Sequence, residues 1–406
     1  MTNNESQLGK HELDSFRNET RAWLEANCPE SQRQPIKTSE LINPGSRQEF
    51  PSADAKLWFE RMRDRGWTCA DFPKEYGGGG LSKAEDKILK QEMLRLNCRS
   101  PLTDSGVFML GPALLEFGSE AQKREHLPKI CTGQVRWCQG YSEPGAGSDL
   151  ASLQCKAEMQ GDNFLVNGTK IWTSFGVESD WIFCLVRTSN EGRKQDGISF
   201  LLIDMKSPGI KVEPIELISG QSEFAQVFFD DVVVPQANLV NGLNKGWMVA
   251  KSLLKHERKM MSELGADVMG GNIVPADAAK EYLGVTESGK IADANIRYEV
   301  AQYDMNMRAI GLTGYRIHQE ALVHKMDPNV PLIMKYLGTT ELQTKDELLL
   351  DIMGMHGLGW QDDQFQEQEL SAARELLFNK AMTIAGGTNE VQLNIIAKRA
   401  LGLPQE

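Results

Sequence analysis

The chain lacks a basic surplus. Its 44 Lys and Arg face 56 Asp and Glu, a formal net charge of −12 over 406 residues. Nucleic-acid binders carry a basic domain or stripe, so that class is excluded, although a local basic pocket for a phosphorylated ligand is not. No apolar run reaches the roughly 20 residues of a membrane-spanning helix. The first residues, Met1-Thr2-Asn3-Asn4-Glu5-Ser6, have neither the charged and apolar regions of a secretory signal nor the Arg-rich, acid-poor character of a transit peptide. A cytoplasmic location is expected. Cysteine is sparse and scattered, at positions Cys28, Cys69, Cys98, Cys131, Cys138, Cys155 and Cys184. The number is odd and there is no C-x-x-C, so a disulfide framework and a zinc site both fail, and a reducing compartment fits. The run Gly77-Gly78-Gly79-Gly80 lacks the Gly-Lys-Ser/Thr ending of a phosphate-binding P-loop and reads as a connector.

What is present falls into three zones without an internal repeat. Residues 1–132 read as a helical domain. Apolar residues recur at helical spacing around Leu13, Phe16, Trp23 and Leu24, over Ala53–Arg65, over Lys83–Leu96 with Ser82 as N-cap, and over Gly111–Leu127. Residues 133–240 switch to short β-rich runs: Phe164–Val166, Trp181–Arg187, Ile198–Ile203, Ile210–Val212 and Ala225–Val234. Asn167-Gly168 signals a hairpin turn, and the zone is expected to be an antiparallel β-domain. Residues 241–406 return to helical periodicity over Trp247–Met261, Ile291–His324, Leu332–Met353, Glu369–Ile384 and Asn389–Leu401, with 266–290 read as irregular. The fold class is α+β: helical domain, antiparallel β-domain, helical bundle.

The chemistry concentrates between Gly140 and Ser174. Gly140-Tyr141-Ser142-Glu143-Pro144-Gly145-Ala146-Gly147-Ser148-Asp149 is a glycine-broken loop whose backbone a planar or phosphorylated ligand can approach closely. Lys170-Ile171-Trp172-Thr173-Ser174 supplies an aromatic ring followed by two hydroxyls, suited to covering a flat cofactor and bonding its rim. Taken singly, a Gly/Ser/Pro run is more often a turn, and an aromatic at a strand end is more often core.

Together with Phe228-Phe229-Asp230-Asp231-Val232-Val233-Val234-Pro235 and Ala385-Gly386-Gly387-Thr388-Asn389-Glu390-Val391-Gln392, these segments resemble the acyl-CoA dehydrogenase family over nearly the whole chain. The resemblance implies FAD as cofactor, an acyl-CoA substrate, a trans-2-enoyl-CoA product, a role in lipid degradation by β-oxidation, and electron-transfer flavoprotein as electron acceptor. It places Gln139, Tyr141 and Ser142 along the flavin pyrimidine, Trp172 against the isoalloxazine, Thr173 and Ser174 at its rim with Ser174 toward N5, Ser148 beside the CoA pantetheine, and Thr388 and Glu390 at the FAD adenosine. It also implies a homodimer or homotetramer sharing FAD between subunits.

Departures from the family pattern matter as much. Many members carry the proton-abstracting Glu where this chain has Gly386, and glycine cannot take a proton. A second branch places its Glu on a helix of the C-terminal region, just before an Arg and downstream of a Gly-aromatic pair. Gly246-Trp247 followed by Glu257-Arg258 stands in that register, so the resemblance implies Glu257 as base and Arg258 as its charged neighbour. Leu253, Leu254, Glu257 and Met261 share one helical face, an unusual setting for a solvated carboxylate and one that favours a general base; His256 lies off that face. At Gly386 a backbone N–H survives to polarise the thioester with a ribityl hydroxyl, and the missing side chain leaves space for a branched or bulky acyl group. The Arg-x-x-Phe-Gly segment that commonly reaches FAD pyrophosphate is missing between Gly270 and Arg297, and Asp351 stands near the place of a commonly contacting Gln. A hetero-oligomer, a non-catalytic CoA- or FAD-binding subunit, and an acyl-CoA oxidase or nitroalkane-oxidase-like flavoprotein remain the alternatives.

Overall fold

The computed structural model describes residues 2–34, 40, 42–254, 273–323, 325–361 and 363–404. They fall into two units, one of Met1–Ile215 with Glu223–Met261 and one of Glu216–Ser222 with Ser262–Glu406.

In the first unit, the α-helices that precede the sheet among the described residues are α1 (Thr2–Asn27), α2 (Ala53–Asp64), α3 (Lys83–Arg95), α4 (Gly111–Phe117) and α5 (Glu120–Cys131). Helix α3 starts where expected. The Ser82 hydroxyl accepts from Glu85 N while the Glu85 carboxylate accepts from Ser82 N, a reciprocal capping box. The single helix read over Gly111–Leu127 is two helices. Gly118 is extended, and Ser119 with Gln122 forms a second capping box that opens α5. Leu24, Trp58, Met62, Trp67 and Leu89 form one apolar cluster among these helices.

The sheet contains β1 (Trp137–Gly140), β2 (Lys156–Gln160), β3 (Asn163–Ser174), β4 (Trp181–Arg187), β5 (Ile198–Asp204), β6 (Ile210–Ile215), β7 (Phe224–Pro235) and β8 (Leu239–Val240). Its order is β6-β7-β3-β2-β4-β5-β8, with β1 beside β4. It is antiparallel except that β1, and β2 through the pair Lys156–Arg187, run parallel to β4. Because side chains alternate along a strand, β4 and β5 divide their residues between two cores. Phe183, Leu185, Phe200 and Leu202 join Leu110, Leu114 and Trp137 on the helical side. Ile182, Cys184, Leu201 and Ile203 join Val166, Val227 and Phe229 on the other.

The hairpin expected at Asn167-Gly168 is absent. The β2–β3 connection turns at Gly161-Asp162, and β3 continues through Asn167-Gly168 to Ser174 with a register shift there. Asn167 exchanges two 2.9 Å hydrogen bonds with Asp231 of β7, one from its side-chain amide and one accepted from Asp231 N. Gly168 is required for a different reason from a turn: a Cβ there would lie 2.7 Å from Cys155 Cα. Helix α6 covers residues 246–254, and its Val249, Ala250 and Leu253 enter the helical-side core.

The second unit is helical: α7 (Pro275–Leu283), α8 (Ala294–Leu322), α9 (Leu332–Met353), α10 (Glu367–Asn379) and α11 (Asn389–Ile395). Helix α7 lies inside the stretch read as irregular. Pro275 occupies its first turn, where the missing N–H costs nothing. Ala278, Ala279, Val300, Leu348, Leu349 and Ile352 form its core. Among the described residues no helix is long and apolar enough to cross a membrane.

Candidate functional site

The glycine loop and the end of β3 meet through named bonds. Ile171 N donates to Ser142 O at 2.9 Å, which brings the loop against the strand one residue before Trp172. At that point β3 bulges. Lys170 pairs with Val227 but Thr173 with Ala225, so β3 carries one residue more than β7 opposite it. Trp172 takes a left-handed φ of 59°. That conformation costs an aromatic residue about 1–3 kcal/mol, and a bulge characteristically re-aims a side chain. The result is an indole 54% exposed, edge-on to Phe224 with centroids 6.2 Å apart. Phe175 and Val177 are also exposed beside it. Ser174 is exposed, Ser142 and Gln139 are half-buried, and Ser148 is exposed on the outer loop.

Two expected contacts take other positions. Tyr141 is core: its ring is buried edge-on to Phe183 and Phe200. Thr173 is wholly buried, and its enclosed hydroxyl has no hydrogen-bond partner among the described residues. The strand's alternation turns Thr173 inward between the outward Trp172 and Ser174. Glu257, Arg258 and His256 lie outside the described residues.

In the second unit, the segment before α11 turns through Gly386 (φ 63°) and Gly387 (φ 97°), a left-handed pair that favours glycine. A Cβ at Gly386 would meet no atom of the described residues within 4 Å. Thr388 is the N-cap of α11, accepting from Val391 N at 3.1 Å, which leaves its O–H as a donor. Glu390 is exposed in the first turn. Three residues of α9, one helical turn apart, hold the segment. Lys335 Nζ donates to Thr383 O at 3.2 Å and to Asn389 Oδ1 at 3.0 Å. Thr339 donates to Asn389 Oδ1 at 3.1 Å, and Gln343 Nε2 to Lys380 O at 3.3 Å. Asp351 is exposed, and Arg297 donates to Ile291 O at 2.6 Å.

The sequence reading missed these holding residues, together with Glu143 and Lys170. A signal existed for Lys170. Phe164 and Val166 are buried on alternate positions of β3, and Lys170 has the same parity. A charge on the buried parity of a strand calls for a buried partner. Glu143 is that partner, at 2.7 Å.

Asp104 sits beneath β1. Its carboxylate accepts from Gly106 N at 2.8 Å, and the neighbouring Ser105 hydroxyl donates to Trp137 O. Burial raises its pKa to about 7, against the opposing effect of its hydrogen bonds and Arg136. The folded value exceeds the unfolded one. Its contribution to stability is therefore complete below about pH 4 and is lost as pH rises through about 7. Asp104→Asn is expected to melt several degrees above the parent at pH 8, with the gap closing toward pH 5. A constant gap across that range, read by thermal denaturation, would contradict the assignment.

The rim as built suits a flavin. Exposed Trp172 presents apolar area to a flat ring, and the hydroxyls of Ser142 and Ser174 and the loop backbone supply polar groups for its edge. Gly145 and Gly147 are exposed, and a Cβ at either would have no neighbour within 4 Å among the described residues. Comparison with known proteins agrees in every zone. The chain matches the N-terminal domain of acyl-CoA dehydrogenases over residues 10–134, the middle domain over 138–232 and the C-terminal domain over 244–401. It is 35% identical over 396 residues to acyl-CoA dehydrogenase IpdE1 of Mycobacterium tuberculosis, covering 97% of this chain and 99% of that one. Among solved structures it is similar to the Tcur3481-Tcur3483 steroid ACAD, with TM-score 0.74, 26% identity and 98% of each chain covered. It is also similar to the ChsE4-ChsE5 complex from Mycobacterium tuberculosis, with TM-score 0.70, 26% identity, and 97% and 98% covered.

Proposed function

This chain belongs to the acyl-CoA dehydrogenase family and is an oxidoreductase of that kind, and from this premise we propose that it binds FAD and desaturates a bulky, ring-bearing acyl-CoA between Cα and Cβ. The observation that carries the FAD reading is the bulged, left-handed Trp172 presented beside the glycine loop. Two observations favour a bulky substrate over the straight fatty acyl chain of ordinary β-oxidation: Gly386 offers open space where many relatives carry a Glu side chain, and the similar Tcur3481-Tcur3483 protein is a steroid ACAD.

FAD, when bound, supplies the hydride acceptor for Cβ. The chain's own residues do the rest. Glu257 takes the Cα proton as its carboxylate, with Arg258 as its charged neighbour. The Gly386 backbone N–H is the donor proposed for the thioester oxygen, which acidifies the Cα–H. Trp172 covers the ring, the Ser142 and Ser174 hydroxyls and the Gln139 side chain bond its polar edge, and Tyr141 and Thr173 act through their backbone. Ser148 is assigned to the pantetheine, and Thr388 and Glu390 to the adenosine. The product is a trans-2-enoyl-CoA, and the electrons go on to an electron-transfer flavoprotein.

A partner of the same family fits better than a homotetramer. The chain lacks the Arg-x-x-Phe-Gly segment, it exposes Asp351 where a Gln is common, and the similar ChsE4-ChsE5 protein is a complex of two differently named chains. The test is a visible flavin spectrum of the purified protein, followed by an acyl-CoA panel with an artificial electron acceptor. Turnover of ring-bearing thioesters at least tenfold above short straight ones is expected. Activity confined to short straight chains would sink the substrate assignment, a colourless protein that takes up no FAD would sink the cofactor assignment, and rapid reoxidation by air would make it an oxidase.

A further inference from the structure

Lys170 has no exposed surface, and its ammonium lies between the two segments that form the candidate rim. It donates to Glu143 Oε1 at 2.7 Å and to Tyr141 O at 3.2 Å, both on the glycine loop. Glu143 in turn accepts from Gln154 N at 2.6 Å and Cys155 N at 2.9 Å, beyond the far end of the same loop. The adjacent Ile171 N holds Ser142 O. The start and the end of the loop are thus fastened to one point of β3, two residues before Trp172. Between those anchors Pro144, Gly145, Gly147, Ser148 and Asp149 are exposed.

We propose that the Lys170–Glu143 pair is a positioning device for the flavin, fixing the glycine loop against the Trp172 bulge; the proposal rests on the FAD reading above. A buried ion pair is weak evidence for stability, because apolar replacement of both partners is often neutral or better, whereas loss of one partner strands a buried charge. What this pair does supply is geometry. Each charge has its partner and backbone groups in fixed directions, and neither can relax into water. A ligand that touches both Ser142 and Trp172 needs their separation set before it arrives, or it loses binding free energy in ordering them.

The distinction from a merely structural role is measurable in the full-length chain. Lys170→Met and Glu143→Gln are each expected to lower the melting temperature and to raise the Kd for FAD, added back to apo-protein, at least tenfold. Their flavin absorption and circular-dichroism bands are expected to change shape. The double variant Lys170→Met/Glu143→Gln strands no charge. It is expected to regain most of the melting temperature but not the FAD affinity or the band shape. As a control, Glu92→Gln disturbs another buried acid, held by Arg17, Arg21 and Arg95, and is expected to lower the melting temperature while keeping the FAD Kd within twofold. If the parent binds FAD and the double variant binds it with parental Kd and band shape, the positioning role is wrong and the FAD reading stands. If the parent takes up no FAD, both fall. Should a single variant fail to fold, the double variant alone decides.

Discussion

Glu257→Gln is expected to reduce turnover by about a thousandfold or more while FAD stays bound, in the upper part of the range by which positioned general bases accelerate reactions. The substitution keeps size and hydrogen-bonding reach and removes only the ability to accept a proton. Acyl-CoA binding should change little, so the loss is expected in kcat and not in KM. The argument for Glu257 is chemical and by register. Removal of a Cα proton needs a base, and Gly386 has no side chain to serve as one. Glu257 stands downstream of Gly246-Trp247 in the sequence, in the register of the second branch. A Glu257→Asp variant retains the carboxylate at a shorter reach and should recover part of the loss. Near-normal turnover of Glu257→Gln, measured with an artificial acceptor, would remove the base assignment altogether.

Gly246→Val should be the most damaging single change at the start of that helix. A Cβ at 246 would lie 2.4 Å from the Ser199 carbonyl carbon and 2.6 Å from Phe200 N. Neither atom can yield, because β5 is paired to β4 along its whole length and Phe200 also pairs with Val240 of β8. The approach to the helix is pinned as well. Asn244 N donates to Ser199 Oγ at 2.8 Å, and Thr188 Oγ1 donates to Asn244 Oδ1 at 2.6 Å. The helix itself must therefore move, against the buried Val249, Ala250 and Leu253. Overpacking of this kind costs about 1–3 kcal/mol, read as a fall in the denaturant midpoint. Because Glu257 lies shortly after Gly246 in the sequence, kcat is expected to fall as well as the midpoint. Gly246→Ala should show the same signs at smaller size. A parental midpoint and kcat in Gly246→Val would mean that the close approach to β5 is not what requires glycine.

Local signals were legible where the interaction is itself local. The capping box at Ser82-Glu85, the strand Trp181–Arg187 and the helix Leu332–Met353 could be read from residues a few positions apart. Errors arose where a distant segment decided. Asn167-Gly168 has the composition of a turn, yet β7 runs alongside β3 for its whole length and satisfies its backbone, so the chain has no reason to reverse there. Gly168 answers instead to the closeness of Cys155. The stretch 266–290, read as irregular, holds helix α7 with Pro275 in its first turn. The inward side chains of Tyr141 and Thr173 likewise answer to distant partners, the aromatic cluster of Phe183 and Phe200 for the one and the pairing of β3 with β7 for the other.

The sequence by itself determined the family, the three-zone order, the loop and strand segments proposed to hold the flavin, and the vacancy of a base at Gly386. Each of these is written in short runs whose residue types are dictated by one chemical need. Tertiary structure decided which face each of those residues presents. It took a bulge opposite β7 to turn Trp172 outward, a buried Lys170–Glu143 pair to fasten the loop to the strand, and three residues of α9 to hold the Gly386 segment. These depend on partners that are distant in sequence, and hydrogen bonds and packing act over a few ångströms in space whatever the separation along the chain.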